Sequence, residues 1–232
     1  MTILRIDASA RTNRSLTRGL ADRFLEEWRT HWPEEQVIFR DIGVSPPPFL
    51  SEAWIAAAFK PEAERIPAEA EALRQSDVLI DELARADTLL IATPMYNYGM
   101  PAMLKAWVDQ VVRINKTFTF DLARGDHPLE PVMTGKTLVM LTAHGEFDFQ
   151  PGGRRERMNH LDPHIRTVAG YLGVSITYHL AIEYQEFGDA RHERSLASAQ
   201  AQIPPLVAEL VGRRQANTMP TGPSFGQAVS AV

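Results

Sequence analysis

Two aromatic rings and a thioether lie together in one short stretch, Pro94-Met-Tyr-Asn-Tyr98. Surface turns are usually small and polar, so this composition indicates a loop that holds a ligand. Met95, Tyr96 and Tyr98 offer apolar surface to a flat ring, and the Asn97 amide can hydrogen-bond to a heteroaromatic edge. The stretch therefore predicts a flat cofactor such as a flavin. The alternative is an ordinary loop whose aromatic side chains only pack.

The segments on either side place this loop at the end of a strand. Residues 88–93 form an apolar run of buried-strand length. Pro101 suits the first turn of a helix, where a missing N–H costs nothing. Apolar residues then recur at helical spacing: Leu104, Trp107, Val108, Val111 and Val112. Ligands of open α/β sheets bind where strands end, and a helix N-terminus favours negative charge there.

A second loop offers hydroxyl groups beside another helix N-terminus. The predicted strand at residues 3–6 leads into a loop rich in Ser, Thr and Asn, and a helix begins near Leu16. The hydroxyls of Ser9, Ser15 and Thr17 and the backbone N–H of Leu16 predict a phosphate site. The alternative is that Ser15 only caps the helix.

Five short apolar runs alternate with helical patterns along the chain: residues 3–6, 37–39, 88–93, 137–142 and 175–182. No G-x-G-x-x-G motif occurs. The pattern predicts an α/β fold, a flavodoxin-like three-layer sandwich with a five-stranded parallel sheet in the order 2-1-3-4-5. One domain is expected over residues 1–213, ending in a single helix at about 193–213. Residues 214–232 are expected to form a flexible C-terminal tail.

The Pro94-Met-Tyr-Asn-Tyr98 motif, followed by a helix with the pattern Leu-Lys-x-(Trp/Tyr)-x-Asp, resembles the FMN-dependent NAD(P)H azoreductase/quinone reductase family of flavodoxin-like proteins. The resemblance spans about residues 2–210. It implies that FMN is the cofactor, with its phosphate at Ser9 and at the Ser15-Leu-Thr17 segment.

A third strand-end loop, Ala143-His-Gly-Glu146, stands where that family commonly has Ser-x-Gly-Gly. The resemblance implies that Ala143, His144, Gly145 and Glu146 contact the pyrimidine side of the flavin. The serine hydroxyl and the second glycine are lost here. His144 can hydrogen-bond to the flavin or protonate a product, and the alternative is an exposed loop residue.

The resemblance also implies a reaction. NADH or NADPH reduces the flavin and leaves, and a quinone or azo compound then takes two electrons in a ping-pong cycle. A homodimer is implied, and a long loop at residues 113–134 is consistent with one. Phe118 and Phe120 in this loop are expected to wall a substrate pocket, in one subunit or across the dimer. The alternative functions are a flavodoxin-type electron carrier, an FMN reductase, and a binding module without cofactor.

Composition excludes several other classes. The 232 residues carry a net charge of −5, which disfavours nucleic acid or an anionic membrane as the main partner. The sequence contains no cysteine, so disulfides and cysteine-ligated metals are excluded, and no metal site is expected. The N-terminal residues enter a strand pattern without a secretory signal, which predicts a cytoplasmic protein.

Overall fold

The computed structural model describes residues 2–218, and the side chains of residues 2–215. Its core is a parallel five-stranded sheet in the order β2-β1-β3-β6-β7, and β4 and β5 form a separate antiparallel hairpin. The strands are β1 (Thr2–Asp7), β2 (Gln36–Asp41), β3 (Thr88–Pro94), β4 (Phe118–Phe120), β5 (Leu129–Pro131), β6 (Lys136–Ala143) and β7 (Val174–Ile182). The helices are α1 (Leu16–His31), α2 (Glu52–Phe59), α3 (Pro67–Arg85), α4 (Ala102–Val111), α5 (Asp162–Ala169), α6 (Ala190–Ala201) and α7 (Ile203–Thr218).

The predicted strand order 2-1-3-4-5 is wrong in chain numbering, because the sheet reads 2-1-3-6-7. The difference arises in the long loop between the third and fourth strands of the sheet. Two three-residue strands pair there, with Phe118 opposite Pro131 and Phe120 opposite Leu129. Segments this short carry too few residues for an alternating pattern to be visible in the sequence.

Two helical layers cover the sheet, each with its own apolar core. On one face, α3, α4 and α5 pack through side chains such as Leu83, Trp107 and Ile165. On the other face, α1 and α7 pack through Phe24 and Val207, together with α6. Both faces of the central strands β1, β3 and β6 are buried, which explains why these strands read as continuous apolar runs.

Local signals set several helix ends. The Ser15 side chain caps α1, and Pro67 occupies the first turn of α3. The single last helix predicted over residues 193–213 is wrong, since α6 ends at Ala201 and α7 begins at Ile203. Prolines at 204 and 205 cannot donate the backbone hydrogen bonds that a continuous helix requires, but they fit a new first turn.

Helix α7 continues to Thr218, through the first five residues assigned to the predicted tail. The remainder of that prediction, residues 219–232, lies outside the described residues. Over residues 2–218, no helix is both long and apolar enough to cross a membrane.

Candidate active site

The loops after β1, β3 and β6 meet at the carboxyl-terminal end of the sheet, because parallel strands all end on that side. They surround a cavity of about 430 Å³, within the roughly 300–1,000 Å³ typical of small-molecule sites. Its lining includes most of the predicted cofactor residues: Ser9, Ser15, Leu16, Thr17, Pro94, Met95, Tyr96, Ala143, His144 and Gly145. The structure therefore brings three separate sequence segments to one site.

The loop after β1 presents hydroxyl groups at the start of α1. The Ser9 hydroxyl accepts a hydrogen bond from the Arg11 backbone N–H at 3.2 Å. The Ser15 hydroxyl lies 3.4 Å from that of Thr17 and accepts the Arg18 backbone N–H at 3.4 Å. No acidic residue occupies the first turn of α1, so the helix dipole is free to attract an anion. Ser15 thus caps the helix and also lines the cavity.

The loop after β3 is a tight two-residue turn. Tyr96 and Gly99 exchange backbone hydrogen bonds of 3.1 and 3.0 Å. Between them Asn97 and Tyr98 have φ angles of 48° and 65°, the left-handed region that a type I′ turn requires. Such angles are unfavourable for a bulky tyrosine, and strained residues of this kind cluster at ligand sites. The turn fixes Met95 and Tyr96 in the cavity wall.

The loops after β3 and β6 are joined across the site. The Met95 N–H donates to the Ala143 carbonyl at 2.9 Å. The Tyr98 hydroxyl donates to the Glu146 carboxylate at 3.1 Å, and this acceptor raises the pKa of the tyrosine. Arg155 also reaches Glu146, at 3.1 Å. Asn97, Tyr98 and Glu146 therefore lie beside the cavity lining, and their contact with a cofactor stays a prediction.

His144 is 2% exposed, so its interpretation as an exposed loop residue is wrong. Neither ring nitrogen has a hydrogen-bond partner in the part of the chain that the structure describes. Nδ1 lies 4.0 Å from the Glu183 carboxylate, beyond hydrogen-bonding distance. Burial alone would raise the pKa of Glu183, but the His144 imidazole and the Asp148 backbone N–H outweigh it and lower that pKa. A buried imidazole without partners is costly unless a ligand or water satisfies it.

His144 also lines a second cavity of about 650 Å³, which extends along β7 and α5. His179 and Asp162 form a polar pair in its wall, with His179 Nδ1 3.3 Å from the carboxylate. The other ring nitrogen lies 2.8 Å from the Thr142 hydroxyl. Burial lowers the pKa of His179, although the Asp162 carboxylate opposes this effect.

Five residues of the first cavity were absent from the sequence prediction: Arg11, Arg14, Gln185, Glu186 and His192. The last three follow β7, so the rule that ligands bind where parallel strands end would have found this segment. Glu186 packs against the third loop, since a Cβ atom added to Gly145 would lie 2.8 Å from its carboxyl group.

Phe118 and Phe120 line neither of these two cavities. Phe118 packs edge-on against Tyr171, with ring centroids 5.6 Å apart, and Phe120 is half exposed on the hairpin. Their role in a substrate pocket stays a prediction. Among residues 2–218, no three His, Asp or Glu side chains are grouped so as to hold a metal ion.

A family model described as "Flavodoxin-like fold" matches residues 1–204, and the chain belongs to this family. It is 50% identical over 216 residues to FMN-dependent NADH:quinone oxidoreductase 2 of Idiomarina loihiensis, covering 90% of each chain. It is 51% identical over 218 residues to the protein of the same name from Colwellia psychrerythraea, covering 91% of this chain and all of that one.

Solved structures of azoreductases share the fold. A Bacillus anthracis azoreductase superposes with a TM-score of 0.79 at 18% identity, covering 90% of this chain and 99% of that one. An FMN-dependent NADH-azoreductase from the same species, in complex with FMN, gives a TM-score of 0.78 at 15% identity, covering 90% and 98%.

Proposed function

We propose that this protein is an FMN-dependent NAD(P)H oxidoreductase that reduces quinones and azo compounds by two-electron, ping-pong hydride transfer. One observation carries the proposal: a hydroxyl-rich helix N-terminus and an aromatic strand-end loop face the same cavity. The names of the relatives that are half identical over nine tenths of the chain give independent support.

The residues present fit FMN. Ser9, Ser15 and Thr17 offer hydroxyls, and the start of α1 a positive dipole, to its phosphate. We call this part of the cavity, residues 9–17, the phosphate end. The loops at residues 94–99 and 143–146 form the ring end, where Met95 and Tyr96 provide the wall against which a flat ring packs.

Bound FMN supplies the hydride chemistry, and the protein supplies binding, orientation and electrostatics. At the ring end, the imidazole of His144 has two ring nitrogens that can take part in hydrogen bonds. Because both lack partners and the side chain lines the cavity, it is suited to hydrogen-bond the cofactor edge or to give a proton to a reduced product. Asn97, Tyr98 and Glu146 are proposed to shape the rim through which the acceptor enters.

We further propose a homodimer in which Phe118 and Phe120 of one subunit approach the site of the other. The half-exposed Phe120 supports this arrangement, as does the exposed Leu122 that follows it. A cytoplasmic location is proposed because the reaction consumes reduced nicotinamide nucleotides.

The test is an anaerobic cycle followed by visible absorbance. NADH or NADPH should bleach the flavin of the holoprotein, and a quinone should restore it, while free FMN at the same concentration reacts far more slowly. Steady-state rates at several quinone concentrations should give parallel double-reciprocal lines. Flavin that neither nucleotide bleaches would contradict the proposal and favour an electron carrier. Release of reduced flavin from the protein would favour an FMN reductase.

A further inference from the structure

Arg18, in the first turn of α1, holds the back of the loop at the phosphate end. Its Nε donates to the Arg11 carbonyl at 3.0 Å, and one Nη donates to the Ser9 carbonyl at 2.8 Å. Both Nη atoms also donate to the Asp41 carboxylate, at 2.6 and 2.7 Å. The guanidinium therefore spans two loop carbonyls and the carboxylates of Asp41 and Asp7, a geometry that its planar fork allows and a lysine cannot reproduce.

The end of β2 completes this support. The Asp41 carboxylate also accepts the Val44 backbone N–H at 3.1 Å, and Gly43 N–H donates to the Asp7 carbonyl at 2.9 Å. A Cβ atom added to Gly43 would lie only 2.0 Å from the Ser9 carbonyl oxygen. Backbone thus packs directly on backbone behind the loop, at a place where only glycine fits.

The charges in this network are already paired. Asp7 is fully buried and lies between two guanidinium groups, those of Arg5 at 2.9 Å and Arg18 at 3.2 Å. Burial raises the pKa of Asp7, and the two arginines oppose that rise. Because Asp41 and Asp7 both neutralise Arg18, its main effect on a bound phosphate is through geometry rather than through charge.

That geometry determines where the loop N–H groups point. In a trans peptide, the C=O and the following N–H point in opposite directions. With the carbonyls of Ser9 and Arg11 drawn toward Arg18, the N–H groups of Ala10 and Thr12 point away from it. Neither N–H has an acceptor within residues 2–218, and both residues are exposed beside Ser9 and Arg11, which line the cavity, so both N–H groups remain available to an anion.

We propose that Arg18, fixed by Asp41, is a positioning residue that sets the loop N–H groups of Ala10 and Thr12 for the phosphate of the cofactor. The inference rests on the proposed function, because it concerns the same site. It assigns the preference for a phosphorylated flavin to a buried ion network that does not itself line the cavity.

The test compares two ligands that differ only in the phosphate. Equilibrium dissociation constants for FMN and riboflavin are measured by flavin fluorescence for the wild type, Arg18→Lys and Asp41→Asn. Arg18→Lys keeps the charge and loses the fork, so the Kd for FMN should rise at least about tenfold, as expected for misaligned charge-assisted hydrogen bonds. The Kd for riboflavin should stay within about twofold, since riboflavin makes no phosphate contacts.

Glu82→Gln is the matched control. Glu82 pairs with Arg40, which precedes Asp41 on β2 and faces the other side of the sheet. This variant loses an ion pair of the same kind away from the cavity, so its Kd for both flavins should equal that of the wild type. Gly43→Ala disturbs the same loop from the end of β2. It should therefore also raise the Kd for FMN more than the Kd for riboflavin.

The outcomes are distinct. Equal weakening of FMN and riboflavin in Arg18→Lys and Asp41→Asn would show a structural role alone and overturn the inference. An unchanged Kd for FMN in both variants would also overturn it, while the proposed function would stand. A wild-type protein that binds neither flavin would overturn the proposed function, and with it the inference.

Discussion

The two ends of the cavity are built in opposite ways. At the phosphate end, the buried charges of Arg5, Asp7 and Arg18 are paired. At the ring end, His144 is buried with both nitrogens unpaired within the described chain, and Tyr98 adopts a left-handed backbone angle. The difference indicates that one end is organised before the cofactor arrives, and the other keeps polar groups free for the cofactor and the acceptor.

This contrast has an energetic meaning. An unsatisfied buried polar group costs about 1–3 kcal/mol, a large share of the 5–15 kcal/mol by which a domain is stable. His144 bears this cost. The described charged groups at the phosphate end do not, because they are paired. Among the described residues, buried polar atoms without a partner also occur in the core, at Trp28 Nε1, Trp107 Nε1 and Arg113 Nε, and His144 differs from these in lining the cavity.

The largest effect is expected from removing hydroxyls at the phosphate end. Ser15→Ala with Thr17→Ala should raise the Kd for FMN roughly 100-fold, because two hydrogen bonds to a charged group contribute about 3 kcal/mol together. Fluorescence titration measures it. Ser51→Ala removes the matching cap of α2, where Ser51 accepts the Trp54 N–H at 3.2 Å, and should leave the Kd unchanged. Equal Kd values in the double variant and the wild type would contradict the assignment of the phosphate to this end.

At the ring end, a substitution of His144 is expected to raise stability and to lower turnover. His144→Leu replaces two unpaired buried nitrogens with apolar atoms, so the free energy of unfolding of the apoprotein should rise by about 1 kcal/mol. Turnover with a quinone should fall about 100-fold, as for loss of a group that moves a proton. Urea unfolding and steady-state rates measure the two quantities. A destabilised variant with full turnover would contradict this account of His144.

His179 in the wall of the second cavity and Asp41 behind the phosphate end should make the stability respond to acid in different pH ranges. Burial lowers the folded-state pKa of His179, although the Asp162 and Glu183 carboxylates oppose it and the Arg166 and His144 side chains assist it. The unfolded chain then binds the proton at higher pH, so the free energy of unfolding should fall as pH drops below about 6.5. His179→Gln should make this fall shallower in urea titrations between pH 7 and 5. An unchanged slope would show that His179 does not carry the effect.

The same direction is expected for Asp41, but at lower pH. The Arg18 hydrogen bonds lower the pKa of this carboxyl group, so its pair with Arg18 stabilises the fold above the ordinary Asp pKa near 3.9 and is lost as pH falls through the lowered value. The difference in unfolding free energy between wild type and Asp41→Asn should stay constant from pH 8 to 5 and shrink below about pH 4. A difference that already shrinks at pH 6 would contradict this assignment.

The smallest effect is expected at the rim. Tyr98→Phe removes the exposed hydrogen bond to Glu146, so the Kd for FMN should change by less than about twofold, as is usual for exposed contacts. The relative rates with a quinone and an azo dye should shift instead, because the rim faces the entering acceptor. Unchanged relative rates would show that Tyr98 does not affect the choice of acceptor.

The sequence predicted the parts of the fold that follow from apolar periodicity and capping. Helix α1 begins at Leu16, as predicted, because the Ser15 side chain caps its first turn. The hairpin of β4 and β5 was missed, because three-residue strands have too short a pattern. The break between α6 and α7 was missed as well, since the apolar stripe continues across it and only Pro204 and Pro205 signal the new start.

At the site, residue types at strand ends identified two loops, and the family resemblance identified the third. Neither revealed the burial of His144 or the pairing of Arg18 with Asp41, which lie 23 positions apart in the chain and meet only through the sheet. Such contacts depend on strand order, which residue spacing does not encode.

A crystal structure of the protein with FMN is the most direct test of the central claim. The account predicts the phosphate within hydrogen-bonding distance of Ser9, Ser15 and Thr17, and the flavin ring against Met95 and Tyr96. A flavin phosphate located elsewhere, for instance in the second cavity beside Arg166, would contradict it.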